Sequence, residues 1–142
     1  MKIIAITGPA GSGKSTIGEK LAKELGHCVN IDADHIKHMI VDGFHKDDSP
    51  GGWKFDKWKL VGQSIALLAK NFIKHDYDVV INGYIGQATW KVIDQQLNFT
   101  HRFVLLPDLT TVKARDAQRC GDQPMGEEAV DEVIGRYQTL LK

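Results

Sequence analysis

The segment Gly8-Pro9-Ala10-Gly11-Ser12-Gly13-Lys14-Ser15 constrains this chain more than any other. It satisfies the pattern G-x-x-x-x-G-K-S/T, and it stands between a short apolar, β-branched run from Lys2 to Ile6 and a stretch from Ser15 to Leu25. In that second stretch Ile17, Leu21, Ala22 and Leu25 recur at helical spacing, and Gly26 supplies the stop. A buried strand therefore hands over to a helix through a glycine loop. Glycines in such a loop let backbone N–H groups turn inward, and the helix N-terminus adds a positive partial charge, so the segment is built to cradle phosphate oxygens. Within the pattern, Lys14 reaches the β and γ phosphates of a nucleotide, and the Ser15 hydroxyl takes one Mg²⁺ position.

The remaining punctuation repeats the same alternation. His27 to Ile31 reads as a second strand, with Asp32-Ala33-Asp34 at its C-terminal end before a helical stretch through Val41. Asp42 to Gly52, with its Asp-Gly and Ser-Pro-Gly-Gly steps, reads as a loop. Trp58, Val61, Ile65, Leu68 and Phe72 then form the apolar stripe of an amphipathic helix between Asp56 and His75. Asp78 to Ile81 is a third strand ending at Asn82-Gly83, Ala88 to Leu97 a helix, and Arg102 to Leu106 a fourth strand stopped by Pro107. Leu109 to Arg119 is helical, Cys120 to Gly126 a loop, and Val130, Val133, Ile134, Tyr137 and Leu141 mark a last helix. Strands alternating with helices give a parallel α/β sheet covered on both faces, here with four core strands, and no repeat or linker divides residues 1–142 into more than one domain.

Composition narrows the function classes. At 142 residues, 42% hydrophobic and 25% charged, the chain is sized for one globular core. Eighteen Lys and Arg balance eighteen Asp and Glu, which removes the bulk footprint of a general nucleic-acid or anionic-membrane binder and points to a small partner. Cys28 and Cys120 show no ligand spacing and read as reduced thiols, Cys28 in a core strand. No apolar run approaches a membrane span, and Met1 to Ile6 is too short for a signal peptide, so the expected location is the cytoplasm, as a monomer or homodimer.

Four segments carry a family resemblance: ITGPAGSGKST at 6–16, NIDADHI at 30–36, YDVVINGYIG at 77–86 and LLPDLTTVKARDAQR at 105–119. With them the chain resembles the small P-loop kinases of the nucleoside-monophosphate-kinase-like group, in the branch with chloramphenicol phosphotransferase, shikimate kinase and gluconate kinase, whose relatives are widely described only as ATPases. The resemblance implies the P-loop NTPase fold, ATP and Mg²⁺ as cofactors, and Gly8 through Thr16 as the nucleotide-binding set. It implies Asp34 as the base or orienter of an acceptor hydroxyl and Asp32 as a ligand to a Mg²⁺-bound water. It also implies that Arg115 and Arg119, on one helix face leading into the 120–126 loop, cover the phosphates, with Arg119 at the loop border assisting transfer. Those kinases usually carry a fifth strand, which the stretch after residue 106 does not suggest.

Each of these readings has a plainer competitor in the residues themselves. Two aspartates two apart point the same way if the strand persists, but Asp34 equally serves as N-cap of a helix beginning at His35. Arg115 and Arg119 equally form a solvated, Asp-paired surface. Asn82 stands where many P-loop proteins carry an acidic residue, so either Asp32 compensates, or Ser15, phosphates and water hold the metal, or ATP is bound without turnover. His35 and His38 have a metal-edge spacing with no third ligand, and they read as acceptor-site polarity or surface. Trp53, Phe55, Trp58 and Tyr84 are candidate acceptor walls, although the helical stripe favours core packing for Trp58.

The four arginines are Arg102, Arg115, Arg119 and Arg136, and none lies between Lys14 and His101, the half that holds the acceptor in the resembling kinases. Anionic acceptors are gripped by bidentate arginines, for which lysine is a poor geometric substitute. The sequence therefore favours an ATP-dependent kinase acting on a hydroxyl of a small uncharged molecule. Its competitors are a nucleoside monophosphate held by Lys37 or Lys46, a polynucleotide 5′-hydroxyl, and a regulatory ATPase with no small acceptor.

Overall fold

The computed structural model describes residues 1–41, 55–118 and 135. In chain order they form β1 (Ile3–Thr7), α1 (Lys14–Leu25), β2 (Cys28–Asp32), α2 (Ala33–His38), α3 (Phe55–Ile73), β3 (Asp78–Gly83), α4 (Gln87–Gln96), β4 (His101–Val104) and α5 (Leu109–Ala117). The four strands make one sheet in the order β2-β3-β1-β4, and every pairing is parallel. No fifth strand occurs among the described residues.

Alternation along each strand divides the core in two, as the period of a β-strand requires. Val79 and Ile81 of β3, with Ile31 of β2, pack against Val61, Ile65, Ala66 and Ala69 of α3 and Ile93 of α4. On the opposite face Val80, Ile4 and Ile6 meet Ala22 of α1 and the partly buried Leu21 and Leu25. The helical stripe of α3 is thus rotated from its expected line: Leu68 is 37% exposed, and Ala66 and Ala69 take the inner positions. Small residues there admit α4, whose Val92 and Thr89 lie against Gly62.

Other boundaries and placements also shift. β4 ends at Val104 rather than Leu106, and α2 ends at His38 rather than Val41. Cys28 opens β2, an outer strand of the described sheet, where it is half-buried and packs against the core cluster of Ile4, Ile6, Ala22 and Val80. Ile17 is 44% exposed, at the rim of a groove of about 410 Å³ that Leu21, Leu25, Ile4, Phe103 and Leu105 also line. The 42–52 loop, Trp53, Lys46, Arg119, the 120–126 loop and, Gly135 apart, the 130–141 helix expected from the sequence lie outside the described residues. No helix among the described residues is long and apolar enough to cross a membrane.

Candidate active site

The phosphate loop leaves the tip of β1 and enters α1 through Gly13, whose φ of 87° is open to glycine at little cost. Gly8 is required for a different reason: a Cβ there would stand 2.5 Å from the Leu105 carbonyl oxygen and 2.8 Å from Ser12 Oγ. No side chain caps α1 and no acidic residue occupies its first turn, so the positive end of the helix is unneutralised by the chain. Ser12 Oγ is buried without a hydrogen-bond partner, and the largely buried Lys14 donates from Nζ to the Pro9 carbonyl at 3.0 Å. An uncapped helix end, an orphan hydroxyl and a held ammonium form a donor set that fits phosphate.

Arg115 reaches this loop from α5, donating from Nη1 to the Gly11 carbonyl at 3.4 Å. Its helix is capped by Asp108, which accepts from the Thr111 amide at 2.8 Å and the Thr111 hydroxyl at 2.6 Å. Those two bonds from Thr111, with Arg115 nearby, hold the Asp108 carboxyl below the usual carboxylate range. Arg102 has a different place: it pairs with Asp94 and lies over the rings of Trp90 and Phe99 at 5.6 and 5.5 Å, tying α4 to β4.

The acidic pair separates into two environments. β2 ends at Asp32 and α2 begins at Ala33, so the two carboxylates are not on one extended strand. Asp32, not Asp34, is the N-cap: its Oδ1 accepts from the amides of Asp34 at 2.8 Å and His35 at 3.3 Å. Asp34 is left with its carboxylate at the tip of the sheet. Its Oδ2 accepts from the Tyr84 amide at 3.3 Å and its Oδ1 lies 3.6 Å from Lys37 Nζ. Trp58 stands edge-on to Tyr84, ring centroids 6.3 Å apart, with Lys37 Nζ 6.0 Å from the Trp58 centroid. The half-buried Trp58 therefore borders this corner while its carbonyl accepts from Thr89 Oγ1. His35 and His38 are exposed, and no cluster of three metal-ligating side chains occurs among the described residues.

Two residues had not been singled out in the sequence. Thr7, at the tip of β1, donates from Oγ1 to the Gly83 carbonyl at 3.1 Å and accepts from the Ile85 amide at 3.3 Å. Asn30 accepts from Asn82 Nδ2 at 2.8 Å, and Asn82 Oδ1 has no partner although the residue is 0% exposed. A polar residue in the middle of the strand segment CVNID was the available signal for Asn30. For the metal, the Ser15 hydroxyl and the orphan Asn82 oxygen are both neutral oxygen donors of the kind Mg²⁺ or its waters use, so the residues present fit it.

A glycine loop between β1 and α1, with acidic and aromatic residues gathered at the C-terminal ends of parallel strands, defines a P-loop kinase-like domain. A family model described as an AAA domain matches residues 3–142, and the chain belongs to that family. No curated protein sequence matches the chain significantly. Among solved structures it is similar to a sugar kinase from Janibacter sp. HTCC2649, with a TM-score of 0.69, 17% identity, and coverage of 99% of this chain and 94% of that one. It is also similar to the Acinetobacter baumannii shikimate kinase in complex with shikimate, with a TM-score of 0.64, 16% identity and coverage of 99% and 78%. A chain of the Pnkp1/Rnl/Hen1 RNA repair complex gives a TM-score of 0.70 at 16% identity, covering 97% of this chain, which spans only 44% of that one. At such identities the likeness is one of fold.

Proposed function

We propose that the chain is an ATP- and Mg²⁺-dependent phosphotransferase whose acceptor is a hydroxyl of a small, uncharged molecule. The observation that carries this reading is the placement of Asp34. Released from capping by Asp32, its carboxylate accepts from the Tyr84 amide, whose ring Trp58 meets edge-on, at the same end of the sheet as the phosphate loop. Held there by a backbone amide and by Lys37, Asp34 orients the acceptor hydroxyl and takes its proton as the oxygen attacks. Lys14 and the N-terminal amides of α1 hold the transferring phosphate, and Arg115 meets its developing charge from the other side. Bound Mg²⁺, held through Ser15, supplies neutralisation of phosphate charge.

The uncharged acceptor follows from what faces Asp34. The lysine in that corner is already paired with the carboxylate, and no arginine precedes residue 102. Aromatic walls with a few hydrogen bonds suit a neutral alcohol. The fold likeness to a chain of an RNA repair complex keeps an oligonucleotide 5′-hydroxyl as the second acceptor to try.

A transfer screen with labelled ATP across neutral alcohols, sugars, nucleosides, nucleoside monophosphates and oligonucleotides tests the reading, with Lys14→Ala as the control. Transfer to a neutral hydroxyl compound that vanishes in the control is expected. Transfer confined to monophosphates or oligonucleotides overturns the acceptor class, and hydrolysis indifferent to every acceptor favours a regulatory ATPase.

A further inference from the structure

Helix α1 covers only half of its side of the sheet. Gly18 packs so closely that a Cβ there would lie 3.1 Å from Asn82 Cβ and 3.1 Å from Asn30 Oδ1, which seats the helix over β3 and β2. With the strand order β2-β3-β1-β4, the same face of β1 and β4 lies beside the helix rather than beneath it. The groove of about 410 Å³ runs there, with Ile17, Leu21 and Leu25 of α1 as one wall, Ile4 and Ile6 of β1 as the floor and Phe103 of β4 on the far side. Ile17 and Phe103 face each other across it, 44% and 46% exposed. Lys2 and His101, where β1 and β4 begin, are its only polar lining. A small-molecule site would gather polar groups around its occupant, whereas an aliphatic helix face needs none.

The chain carries such a face. Val130, Val133, Ile134, Tyr137 and Leu141 recur at helical spacing, and a helix holding them presents a stripe about 16 Å long. The strand floor between Lys2 and Ile6 is about 13 Å long, so stripe and groove match in length. Gly135 is helical and exposed, and a Cβ on it would meet nothing within 4 Å. At 100° per residue it falls on the far side of the helix from the stripe, so its openness is that of an outer face. Residues 118–129 separate α5 from the stripe, and a stretch of that length extends to about 40 Å, enough to reach any side of a domain this size.

We propose that the groove between α1 and β4 is the docking site of this chain's own residues 130–141, whose apolar stripe lies in it as a second helix on that face. A tether makes the docking partner present at roughly millimolar effective concentration, so a modest apolar contact suffices. A second copy of the chain has no such advantage. Stable association of two copies takes about 800 Å² from each, more than this groove and the four-residue edge of β4 supply.

The test is made on the full chain with Cys28→Ser and Cys120→Ser. Phe103→Cys is combined with Ile134→Cys, at the centre of the stripe, or with Thr139→Cys, across the helix from it, and each pair is treated with a short bismaleimide. The Ile134 pair is expected to cross-link within one chain roughly tenfold faster than the Thr139 pair, the gain that a held geometry gives over a free tether. Equal rates, or products that join two chains, overturn the proposal. A second measurement stands if a cysteine pair does not fold. Tyr137→Asp, in the otherwise unaltered chain, should uncover the groove and raise the fluorescence of added anilinonaphthalenesulfonate several-fold at unchanged far-ultraviolet dichroism, while Thr139→Asp should leave the dye dark. The same low fluorescence in both variants overturns the proposal.

Discussion

The Oδ1 atom of Asp32 accepts the backbone N–H of Asp34 at 2.8 Å, so the first aspartate of the pair starts the helix that carries the second. This division of labour predicts different phenotypes for two neighbouring carboxylates. Asp34→Asn should lower transfer by roughly two orders of magnitude or more, the range for loss of a general base, with ATP affinity unchanged. Asp32→Ala should instead cost about 1 kcal/mol of stability, the usual worth of an N-cap, read from urea denaturation. Full turnover in Asp34→Asn would return that residue to a surface role.

On the proposed reading, Arg115 should report on the phosphates rather than on the acceptor. Removing its guanidinium from the Gly11 side of the loop should weaken triphosphate binding by about tenfold, the worth of one hydrogen bond to a charged group, and leave the acceptor KM in place. Calorimetry with ATP and ADP on Arg115→Ala checks this, the larger loss being expected for ATP.

Gly83 joins the two halves of the site at close quarters. Its φ is 135°, and a Cβ there would fall 2.9 Å from the Ala33 Cβ and 3.3 Å from the Asp34 amide nitrogen. Gly83→Ala should therefore destabilise the fold by about 2 kcal/mol, through backbone strain and overpacking together. It should also push α2 away, so that kcat falls beyond what the lost stability explains. Chemical denaturation beside steady-state kinetics separates the two effects.

Cys28 offers a pH-dependent observable away from the site. Burial raises its thiol pKa, and the negative charge of Asp78 adds to the effect. A raised pKa means the folded chain holds its proton longer than the unfolded one. The stability this contributes is present below the unfolded thiol's pKa and is lost as pH rises through the folded value. In a Cys120→Ser background, iodoacetamide should label Cys28 more slowly than free cysteine at pH 8.5, and the rates should converge in urea.

Much of this arrangement was legible in the sequence because it rests on local pattern. The glycine loop, the β-branched runs of β1 and β3 and the long apolar period of α3 each carry their own signal. The exchange of roles between Asp32 and Asp34 was not legible, since it turns on whether a six-residue helix starts at residue 33 or 35. Both aspartates are good caps, and the start at Ala33 places that residue close against Gly83. The Asn30–Asn82 pair was hidden for another reason: its members are 52 residues apart, and strand order rather than sequence makes them neighbours. Arg115 was placed over the phosphates by resemblance, whereas its hold on Gly11 follows from where α5 begins after β4.

The Thr7 hydroxyl gives one hydrogen bond and takes another across the tips of β1 and β3. The backbone from which the phosphate loop departs and the backbone leading to Tyr84 therefore cannot separate without breaking two buried bonds. The width of the gap between the phosphate loop and the Tyr84 corner is set by the sheet, as a fixed gauge, before any ligand arrives. Any narrowing of that gap during turnover falls to elements hung outside this clasp, and α2 and α5 are the two described here that carry charged groups toward it.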